Sequence, residues 1–276
     1  MSADVARENA LVGEPRSVAA SVVREERRPG ELPIYSHPEW AARFPWLLQG
    51  TTARGETGPA FDLGLFGATP VREALDRWLR LRAELGVRRA AHARQVHGCD
   101  ILVHGPGVPG LTVSERFDGH ATTQPDLLLT VSVADCVPIS LVEPHSRAVV
   151  LLHGGWRGVA SGILERGVAL FRRLSGADAG ALFVHFGPAI CGRCYEVGPE
   201  VFAALGLPVP PRPALLDLRG ALARRAGALD IPPEQISLSA FCTRCGEAAG
   251  QPSPFFSHRG GCAERQLGFL AVHPGA

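Results

Sequence analysis

Runs of apolar residues along the chain predict buried β-strands that alternate with amphipathic helices. The run DLLLTVSVADCVPISLVE predicts two strands, rich in β-branched residues, with an irregular kink at Ala134-Asp135-Cys136. Further strands are predicted in WLLQGTTARG, AAHARQVHGCDILVHG, RAVVLLH, ALFVHFGPAICG, EQISLS and LGFLAV. Interleaved strands and helices with many buried strands predict a mixed α/β layered sandwich.

Helical periodicity appears in the segments between these strands. In TPVREALDRWLRLRAELG, Thr69 is predicted to cap a helix that has Pro70 in its first turn and ends at Gly86. A second helix is predicted from about Val159, with an apolar stripe that continues to Leu174. The segments GPEVFAALG and DLRGALARRAGAL predict two short helices.

The apolar pattern begins only after a polar N-terminal region. Residues 1–32 are rich in charge and contain Pro15, Pro29 and Gly30, which predicts a flexible tail. No linker rich in proline and glycine divides residues 33–276, so one domain is expected there. A chain of 276 residues with 46% hydrophobic content is large enough to bury a sizeable core.

Composition excludes several classes of function. The net charge is +1, which argues against nucleic acid or an anionic membrane as partner. All basic residues are arginine, and the absence of lysine excludes Schiff-base chemistry and a phosphate-binding P-loop lysine. No apolar run approaches the roughly 20 residues that span a bilayer, and no secretory signal is recognised. The seven cysteines are therefore expected to be reduced thiols or metal ligands in the cytoplasm.

Three side chains able to bind metal follow one local design. His97 in QVHG, Cys136 in ADCVP and His153 in HGGWRG each lie where an apolar strand ends or breaks, so they can converge in space. Two imidazoles and a thiolate suit zinc, and three protein ligands leave a fourth position open, as in catalytic zinc sites. A purely structural role stays open as well, because histidines at strand ends commonly form only hydrogen bonds.

Two C-x-x-C pairs offer a second metal site. CGRC contains Cys191 and Cys194, and CTRC contains Cys242 and Cys245. The separation between the pairs exceeds the usual spacing of a zinc ribbon, and Cys191 follows a predicted buried strand. On the residues alone, both metal sites stay open.

A possible anion site follows His153. Arg157 stands just before the helix predicted from about Val159. The first N–H groups of a helix lack partners and favour an anion, and an arginine beside them adds a forked pair of donors. The neighbouring glycines allow a close approach of the backbone. A tight turn with a solvent-exposed arginine would give the same pattern.

Together these motifs resemble the bacterial YfiH-type proteins, formerly called multicopper polyphenol oxidases or laccases and related to a human laccase-domain enzyme of purine nucleosides. The resemblance runs from about Trp46 to Val272. It is carried by TTARG, QVHGCDI, FDGHATTQPDLLLTVSVADCVPISL, LLHGGWRG, FGPAICGRCYEVGPEV, CTRC and PFFSHRGG. The chain departs from the family where His258 replaces a tyrosine, where Gly260 replaces an arginine, and where Arg265 stands in GGCAERQ instead of a TGR motif.

The resemblance implies a four-layer α/β/β/α sandwich with mixed sheets. It implies that residues 33–276 form a zinc-dependent catalytic domain, with zinc rather than copper held by His97, Cys136 and His153. The implied reaction is phosphorolysis of adenosine, inosine or guanosine, with adenosine deamination and methylthioadenosine cleavage as related activities. Arg54 matches the arginine of the family's TTR motif, near its phosphate site. The family pattern does not use the four cysteines of the C-x-x-C pairs.

This activity assigns roles to further residues. The expected partners are a purine nucleoside and inorganic phosphate, and Arg54 and Arg157 are the candidates for holding the anion. Deamination also needs a proton shuttle, for which Asp135 and Glu196 are candidates. Because Asp135 neighbours Cys136, a regular strand would turn its side chain away, whereas a kink can bring it back. A monomer or a small homo-oligomer is expected.

Three other functions stay open. A laccase-like polyphenol oxidase fits the residues poorly, because a blue-copper site commonly adds an axial methionine and the only methionine is Met1. A Cys/His hydrolase would use Cys136 as nucleophile and His153 as base. A non-catalytic, zinc-stabilised interaction domain would need the metal but no turnover.

Overall fold

The computed structural model describes residues 20–55, 60–67, 69–247 and 252–275. The strands in these ranges are β1 Ser21–Val23, β2 Glu26–Arg27, β3 Ile34–Ser36, β4 Leu47–Thr52, β5 Arg89–Arg94, β6 Ile101–His104, β7 Gly110–Glu115, β8 Gly119–Thr122, β9 Leu127–Val133, β10 Val137–Val142, β11 Val149–Gly154, β12 Phe183–Phe186, β13 Glu196–Val197, β14 Ala214–Leu215, β15 Ile236–Ser239 and β16 Gln266–Val272. The helices are α1 Pro38–Arg43, α2 Val71–Glu84, α3 Trp156–Ala160, α4 Ile163–Ser175, α5 Pro199–Ala204 and α6 Leu218–Ala228. No helix in the described ranges is long and apolar enough to cross a membrane.

The strands form two seven-stranded mixed sheets and one separate strand pair. The first sheet has the order β1-β15-β12-β10-β11-β8-β6, and the second has the order β2-β3-β4-β16-β9-β5-β7. In the first sheet β11 pairs antiparallel with both β10 and β8, whereas in the second sheet β5 pairs parallel with both β7 and β9. Strands β13 and β14 pair with each other outside the two sheets.

Alternation of side chains along each strand builds the layers. In β11, Val149 and Leu151 pack in the core between the two sheets, whereas Val150 and Leu152 pack on the opposite face, in the core that includes α4 and α6. This follows because successive side chains of a strand point to opposite faces. The second sheet is covered on its outer face by α2, which buries Trp78 against it. The expected four-layer α/β/β/α sandwich, a single domain, is therefore confirmed.

The chain crosses from one sheet to the other at the predicted kink. Strand β9 belongs to the second sheet and β10 to the first, with Ala134-Asp135-Cys136 between them. Asp135 has φ 87°, a left-handed conformation that reverses the regular alternation of side chains. The sheets lie close together here, since a Cβ added at Gly268 of β16 would lie 2.5 Å from Cβ of Pro138 in β10. The kink is confirmed.

Two helix starts differ from the sequence prediction. The helix expected from about Val159 is two helices, because Gly162 adopts a left-handed conformation with φ 82° between α3 and α4. Arg157 consequently lies inside the short α3 and not before a long helix. Thr69 does not cap α2, because its hydroxyl donates instead to the Asp62 carboxylate.

The N-terminal region also differs from the prediction of a flexible tail over residues 1–32. Strand β1 pairs parallel with β15 of the first sheet, and β2 pairs antiparallel with β3 of the second. Val23 and Leu32 are buried in the protein core. The prediction is therefore wrong for residues 20–32, since strands of two or three residues are too short to show periodicity. Residues 1–19 lie outside the described residues.

We expect a large stability difference between substitutions at two adjacent glutamates of this region. The Glu25 carboxylate is buried and accepts hydrogen bonds from His185 Nε2 at 3.0 Å and Ser239 Oγ at 2.8 Å, whereas Glu26 is exposed. Glu25→Ala should lower the free energy of unfolding by about 3 kcal/mol, because it removes the carboxylate to which two buried polar groups donate. Glu26→Ala should change it by less than about 0.5 kcal/mol. Equal effects in urea unfolding would show that residues 20–27 are not docked as described.

Buried histidines predict that stability falls in mild acid. Burial lowers the pKa of His92 to about 4, and burial together with the neighbouring His185 lowers the pKa of His37 to about 3. In the unfolded chain both pKa values return to about 6.5, so the unfolded state binds more protons between pH 6.5 and 4. The two neutral histidines therefore contribute fully to the free energy of unfolding above pH 6.5, and this contribution is lost progressively as the pH falls.

The predicted loss of stability in mild acid can be tested by measuring the midpoint of thermal unfolding against pH. The unmodified protein should lose stability from pH 6.5 downward, and His92→Asn should flatten the profile in that window. Asparagine keeps a donor near the position of Nδ1, which lies 3.0 Å from Thr130 Oγ1. An unchanged slope in the variant would mean that His92 does not contribute to the acid sensitivity.

Candidate metal centre and active site

The structure brings together the three side chains that were predicted to bind metal. The ligand atoms of His97, Cys136 and His153 all lie within 4.8 Å of one another. His97 follows β5 of the second sheet, Cys136 lies in the crossing between the sheets, and His153 lies on β11 of the first sheet. The cluster therefore stands at the edge where the two sheets meet, and each sheet contributes one histidine.

A buried aspartate holds both histidines. Asp118 is fully buried, and its Oδ1 lies 2.9 Å from Nδ1 of His153. The same carboxylate accepts hydrogen bonds from the backbone N–H groups of Val96, His97 and Gly98 at 2.8–3.1 Å. These bonds stabilise the left-handed conformation of His97, whose φ is 59°. A carboxylate on Nδ1 orients the ring and leaves Nε2 for a metal, as the outer partners of metal-bound histidines do.

Glycine is required next to the cluster. A Cβ added at Gly155 would lie 2.8 Å from Cδ2 of His97, 3.3 Å from Sγ of Cys136 and 3.5 Å from Cε1 of His153. A Cβ at this position would overlap His97 and press against Cys136, while it would just touch His153. The HGGWRG motif is thereby explained, because His153 lies near the end of β11 and Gly155 lets the other two ligands approach it.

Electrostatics in the cluster favour binding of a cation. Burial alone would raise the pKa of Cys136, but His153 and His97 lower it to about 6. Burial alone would lower the pKa of His153, but the Cys136 thiolate and the Asp118 carboxylate raise it to about 9. The two shifts have a common cause, the mutual attraction of a Cys136 thiolate and a His153 imidazolium. A metal ion can take the place of the imidazolium proton, since metal ligands must be deprotonated.

A cleft with two lobes opens on the cluster. The larger lobe, about 560 Å³, touches all three candidate ligands. Its remaining walls are Gly64, Leu65, Phe66, Gly67, His92, Ala93, Arg94, Gln95, Ser132, Ala134, His258, Ala263 and Arg265. The smaller lobe, about 290 Å³, touches His97 and Cys136. Its remaining walls are Ala134, Asp135, Trp156, Arg157, Ile190, Tyr195, Leu218, His258 and Arg259.

The two arginines predicted to bind phosphate lie in different surroundings. Arg157 is exposed, lines the smaller lobe, and stacks on the ring of Trp156 with Cζ 4.4 Å from the ring centroid. Arg54 does not line either lobe among the described residues. Its Nη2 donates to the carbonyl of Phe255 at 2.5 Å, and its buried Nε has no partner in the described part of the chain. The structure therefore brings Arg157, but not Arg54, to the cleft.

The two carboxylates predicted to shuttle a proton are also placed differently. Asp135 lines the smaller lobe, but its carboxylate accepts three hydrogen bonds. They come from Thr243 Oγ1 at 2.6 Å, Ser257 Oγ at 2.7 Å and the N–H of Arg259 at 2.7 Å. These contacts favour a role in holding the surrounding loops. Glu196 is exposed on β13 and is not among the described residues that line the cleft.

Sequence reasoning missed several residues of this site. Asp118 stands in the FDGH motif, and an acidic residue in a segment that carries the family resemblance was the available signal. Tyr195 and Arg259 line the smaller lobe, where the Arg259 guanidinium lies 5.2 Å from the centroid of the Tyr195 ring. Both residues stand in segments that carry the family resemblance, but the loops that bring them to the cleft converge only in the folded chain.

Two other features compete with this site. The four cysteines of the C-x-x-C pairs also cluster, with all sulfur atoms within 4.8 Å of one another. A further cavity of about 760 Å³ is lined by residues 24–27 and by Tyr35 and Phe241, among others. Its walls contain neither of the two described clusters of metal-ligating residues. Donor chemistry, rather than cavity volume, therefore identifies the cleft beside His153.

The chain is similar in sequence to several known proteins. A family model described as multi-copper polyphenol oxidoreductase laccase matches residues 69–272. The chain is 34% identical to purine nucleoside phosphorylase YlmD of Geobacillus stearothermophilus over 218 residues, 72% of this chain and 76% of that protein. It is 32% identical to adenosine deaminase RL5 of an unknown prokaryotic organism over 204 residues, 67% of this chain and 76% of the relative.

Solved structures show the same fold. The crystal structure of YlmD from Geobacillus stearothermophilus has a TM-score of 0.79 and 29% identity, with 92% of this chain and 99% of that chain covered. The YfiH protein of Bacillus licheniformis has the same TM-score at 25% identity, with 89% of this chain and 98% of that chain covered. The match of the family model, the relatives and the fold shows that this chain belongs to the laccase-like YfiH family.

Proposed function

We propose that this protein is a zinc-dependent purine nucleoside phosphorylase. The observation that carries the proposal is the convergence of His97, Cys136 and His153 at the floor of a cleft with an arginine-lined lobe. The family contains relatives named purine nucleoside phosphorylase and adenosine deaminase, which supports an enzymatic role for the chain.

The donor set favours zinc over copper. Two imidazoles and one thiolate are ligands that zinc accepts. They fill three of the four positions of a tetrahedral site, and a reactant can fill the fourth. A blue-copper site with its usual axial methionine would need Met1, which lies outside the described residues. The other described cluster of metal-ligating residues contains only cysteine, so it does not supply the histidines of a multicopper centre. When bound, zinc supplies positive charge that stabilises developing negative charge and acidifies water.

The smaller lobe is suited to phosphate. Arg157 and Arg259 both line it, and no carboxylate lies within ion-pair distance of Arg157 in the described part of the chain. An arginine without a carboxylate partner keeps its forked donors for an anion. The five-residue α3 adds little, since a helix this short has only a small dipole. Arg157 is therefore the proposed phosphate ligand, with Arg54 as the alternative that the family resemblance implies.

The larger lobe is suited to the purine nucleoside. Its volume of about 560 Å³ lies within the usual range for small-molecule sites, and Phe66 and Arg94 offer flat surfaces against which a base can stack. A phosphate oxygen would attack C1′ while the bond between C1′ and the purine nitrogen breaks. The purine leaves with the bonding electrons and takes up a proton, and ribose 1-phosphate is released. The chain's contribution is to hold both reactants in line.

Adenosine deamination is the second candidate, favoured by the 32% identity to a relative named adenosine deaminase. A Cys/His hydrolase remains the main alternative without metal, because the lowered pKa of Cys136, about 6, would suit a nucleophile. The third donor, His97, favours the metal site, because a Cys/His pair does not require it. Incubation of adenosine with and without phosphate separates the reactions by their products: adenine and ribose 1-phosphate, or inosine and ammonia.

We expect each of His97→Ala, Cys136→Ala and His153→Ala to bind one zinc ion fewer per chain than the unmodified protein. Asp118→Asn should weaken zinc binding by about 10- to 100-fold, because it removes the carboxylate that orients His153. His258→Ala is the matched control, since His258 lines both lobes but does not belong to the cluster. Elemental analysis of the purified proteins measures the zinc content. Unchanged zinc in all three alanine variants would overturn the assignment.

We expect Arg157→Ala to reduce inosine cleavage at limiting phosphate by about 10- to 150-fold, because one charge-assisted contact contributes roughly 1.5–3 kcal/mol. Zinc content should be unchanged. Arg166→Ala is the matched control, because Arg166 pairs with Asp100 at 3.2 Å in an exposed ion pair outside both lobes. The assay follows hypoxanthine release against phosphate concentration.

Two outcomes would contradict this assignment in different ways. Cleavage by the unmodified protein that does not depend on phosphate would show that phosphorolysis is the wrong reaction. A phosphate-dependent reaction that Arg157→Ala leaves unchanged would show that the anion lies elsewhere, and Arg54→Ala then tests the alternative site.

A further inference from the structure

The four cysteines of the C-x-x-C pairs form a second cluster of thiols. Cys191 and Cys194 follow β12, and Cys242 and Cys245 follow β15, the neighbouring strand of the first sheet. The parallel pairing of these strands brings the two loops to the same edge of the sheet. All four sulfur atoms lie within 4.8 Å of one another, although the pairs are far apart in sequence.

Each pair is shaped by a tight turn. The N–H of Cys194 donates to the carbonyl of Cys191 at 2.9 Å, and the N–H of Gly246 donates to the carbonyl of Cys242 at 2.9 Å. Gly246 has φ 74°, which completes the second turn directly after Cys245. The turns direct both thiols of a pair to the same side.

Backbone donors also point at sulfur. The N–H groups of Cys191 and Cys245 lie 3.3 Å and 3.5 Å from Sγ of Cys242. In a metal site, N–H groups placed in this way donate to the sulfur ligand and hold it in position. The loops are joined next to the cluster as well, because the N–H of Thr243 donates to the carbonyl of Ala189 at 3.2 Å.

The spacing of the sulfur atoms suits a tetrahedral ion. With Zn–S bonds of about 2.3 Å, the edge of a regular tetrahedron of sulfur atoms is about 3.8 Å. The Sγ atoms of Cys191 and Cys245 lie 3.8 Å apart, whereas a disulfide would require about 2.05 Å. None of the seven cysteines forms a disulfide in the structure.

The charge around the cluster suits four thiolates and a divalent ion. Each pair carries an arginine directly before its second cysteine, Arg193 in one and Arg244 in the other. Arg193 interacts with the Cys191 sulfur, and Arg244 Nη1 lies 3.4 Å from the carbonyl of Cys194. A zinc ion with four thiolates carries two negative charges, which these two guanidinium groups balance.

We propose that Cys191, Cys194, Cys242 and Cys245 hold a structural zinc ion, separate from the metal centre at His153. Four protein ligands close the coordination shell, so this ion would have no open position for a reactant. Its function would be to join the two loops that support the active site. The N–H of Ile190 donates to the carbonyl of Asp135 at 3.0 Å, and Thr243 Oγ1 donates to its carboxylate at 2.6 Å. Asp135 immediately precedes Cys136, so the ion would position that ligand through the two loops.

Metal content of the full chain, purified under reducing conditions, tests the proposal. The unmodified protein should contain two zinc ions per chain, and Cys194→Ser and Cys245→Ser should each contain one. Cys262→Ser is the matched control, because Cys262 belongs to neither cluster, and it should retain both ions. The proposal is wrong if Cys194→Ser and Cys245→Ser keep the full zinc content, or if iron replaces zinc in the unmodified protein.

This experiment tests the two proposed metal sites independently of each other. Loss of one ion in Cys245→Ser with none lost in His153→Ala would support the structural site and contradict the catalytic one. The reverse result would do the opposite. Combining His153→Ala with Cys245→Ser should remove both ions.

A second measurement uses the unmodified protein and therefore does not depend on whether the variants fold. Alkylation of the unmodified protein, mapped by mass spectrometry of peptides, should show these four cysteines protected until a strong chelator is added. Cys262 supplies the reference, since its labelling should not respond to the chelator. If all four cysteines are labelled as fast without the chelator as with it, the proposal is wrong. A native mass that lacks two hydrogens per cysteine pair would overturn it in favour of disulfides.

Discussion

The site depends on the hydrogen bonds that the buried carboxylate of Asp118 accepts. This carboxylate accepts the backbone N–H groups of residues 96–98 and lies 2.9 Å from Nδ1 of His153, so one side chain fixes two candidate ligands. One ligand belongs to the loop after β5 of the second sheet, and the other to β11 of the first. A buried carboxylate with four donors is stable as an anion, and its bonds link the two sheets beside their shared apolar core.

The crossing between the sheets imposes the second constraint. The chain leaves β9 and enters β10 through a left-handed Asp135, which places Cys136 between the two histidines. The loops after β12 and β15 hold Asp135 by its carbonyl and its carboxylate. Gly155 then leaves room for the three ligand side chains to approach one another. Precise placement thus comes from loops that several strands support, as a preorganised site requires.

The chemistry of the cleft follows from the contrast between its lobes. One lobe is large and carries Phe66 and Arg94, and the other is small and carries Arg157 and Arg259. The candidate metal ligands lie between them, so a bond that spans both lobes would break beside the cluster. Under the proposed function, the base of a nucleoside would lie in the larger lobe and phosphate in the smaller one. Fold alone would not support this conclusion, because one fold hosts many functions.

By itself, the sequence determined the α/β class, most strands, the kink before Cys136 and the motifs that carry His97, Cys136 and His153. These features are encoded locally, by periodicity and by residue types at strand ends. Only the tertiary structure decided which candidates meet. It placed Arg157, but not Arg54 or Glu196, in the cleft, and it drew residues 20–32 into the two sheets. The role of Asp118 and the convergence of the two C-x-x-C pairs were decided only there. Contacts between residues distant along the chain depend on strand pairing and loop geometry, which leave no periodic signal in the sequence.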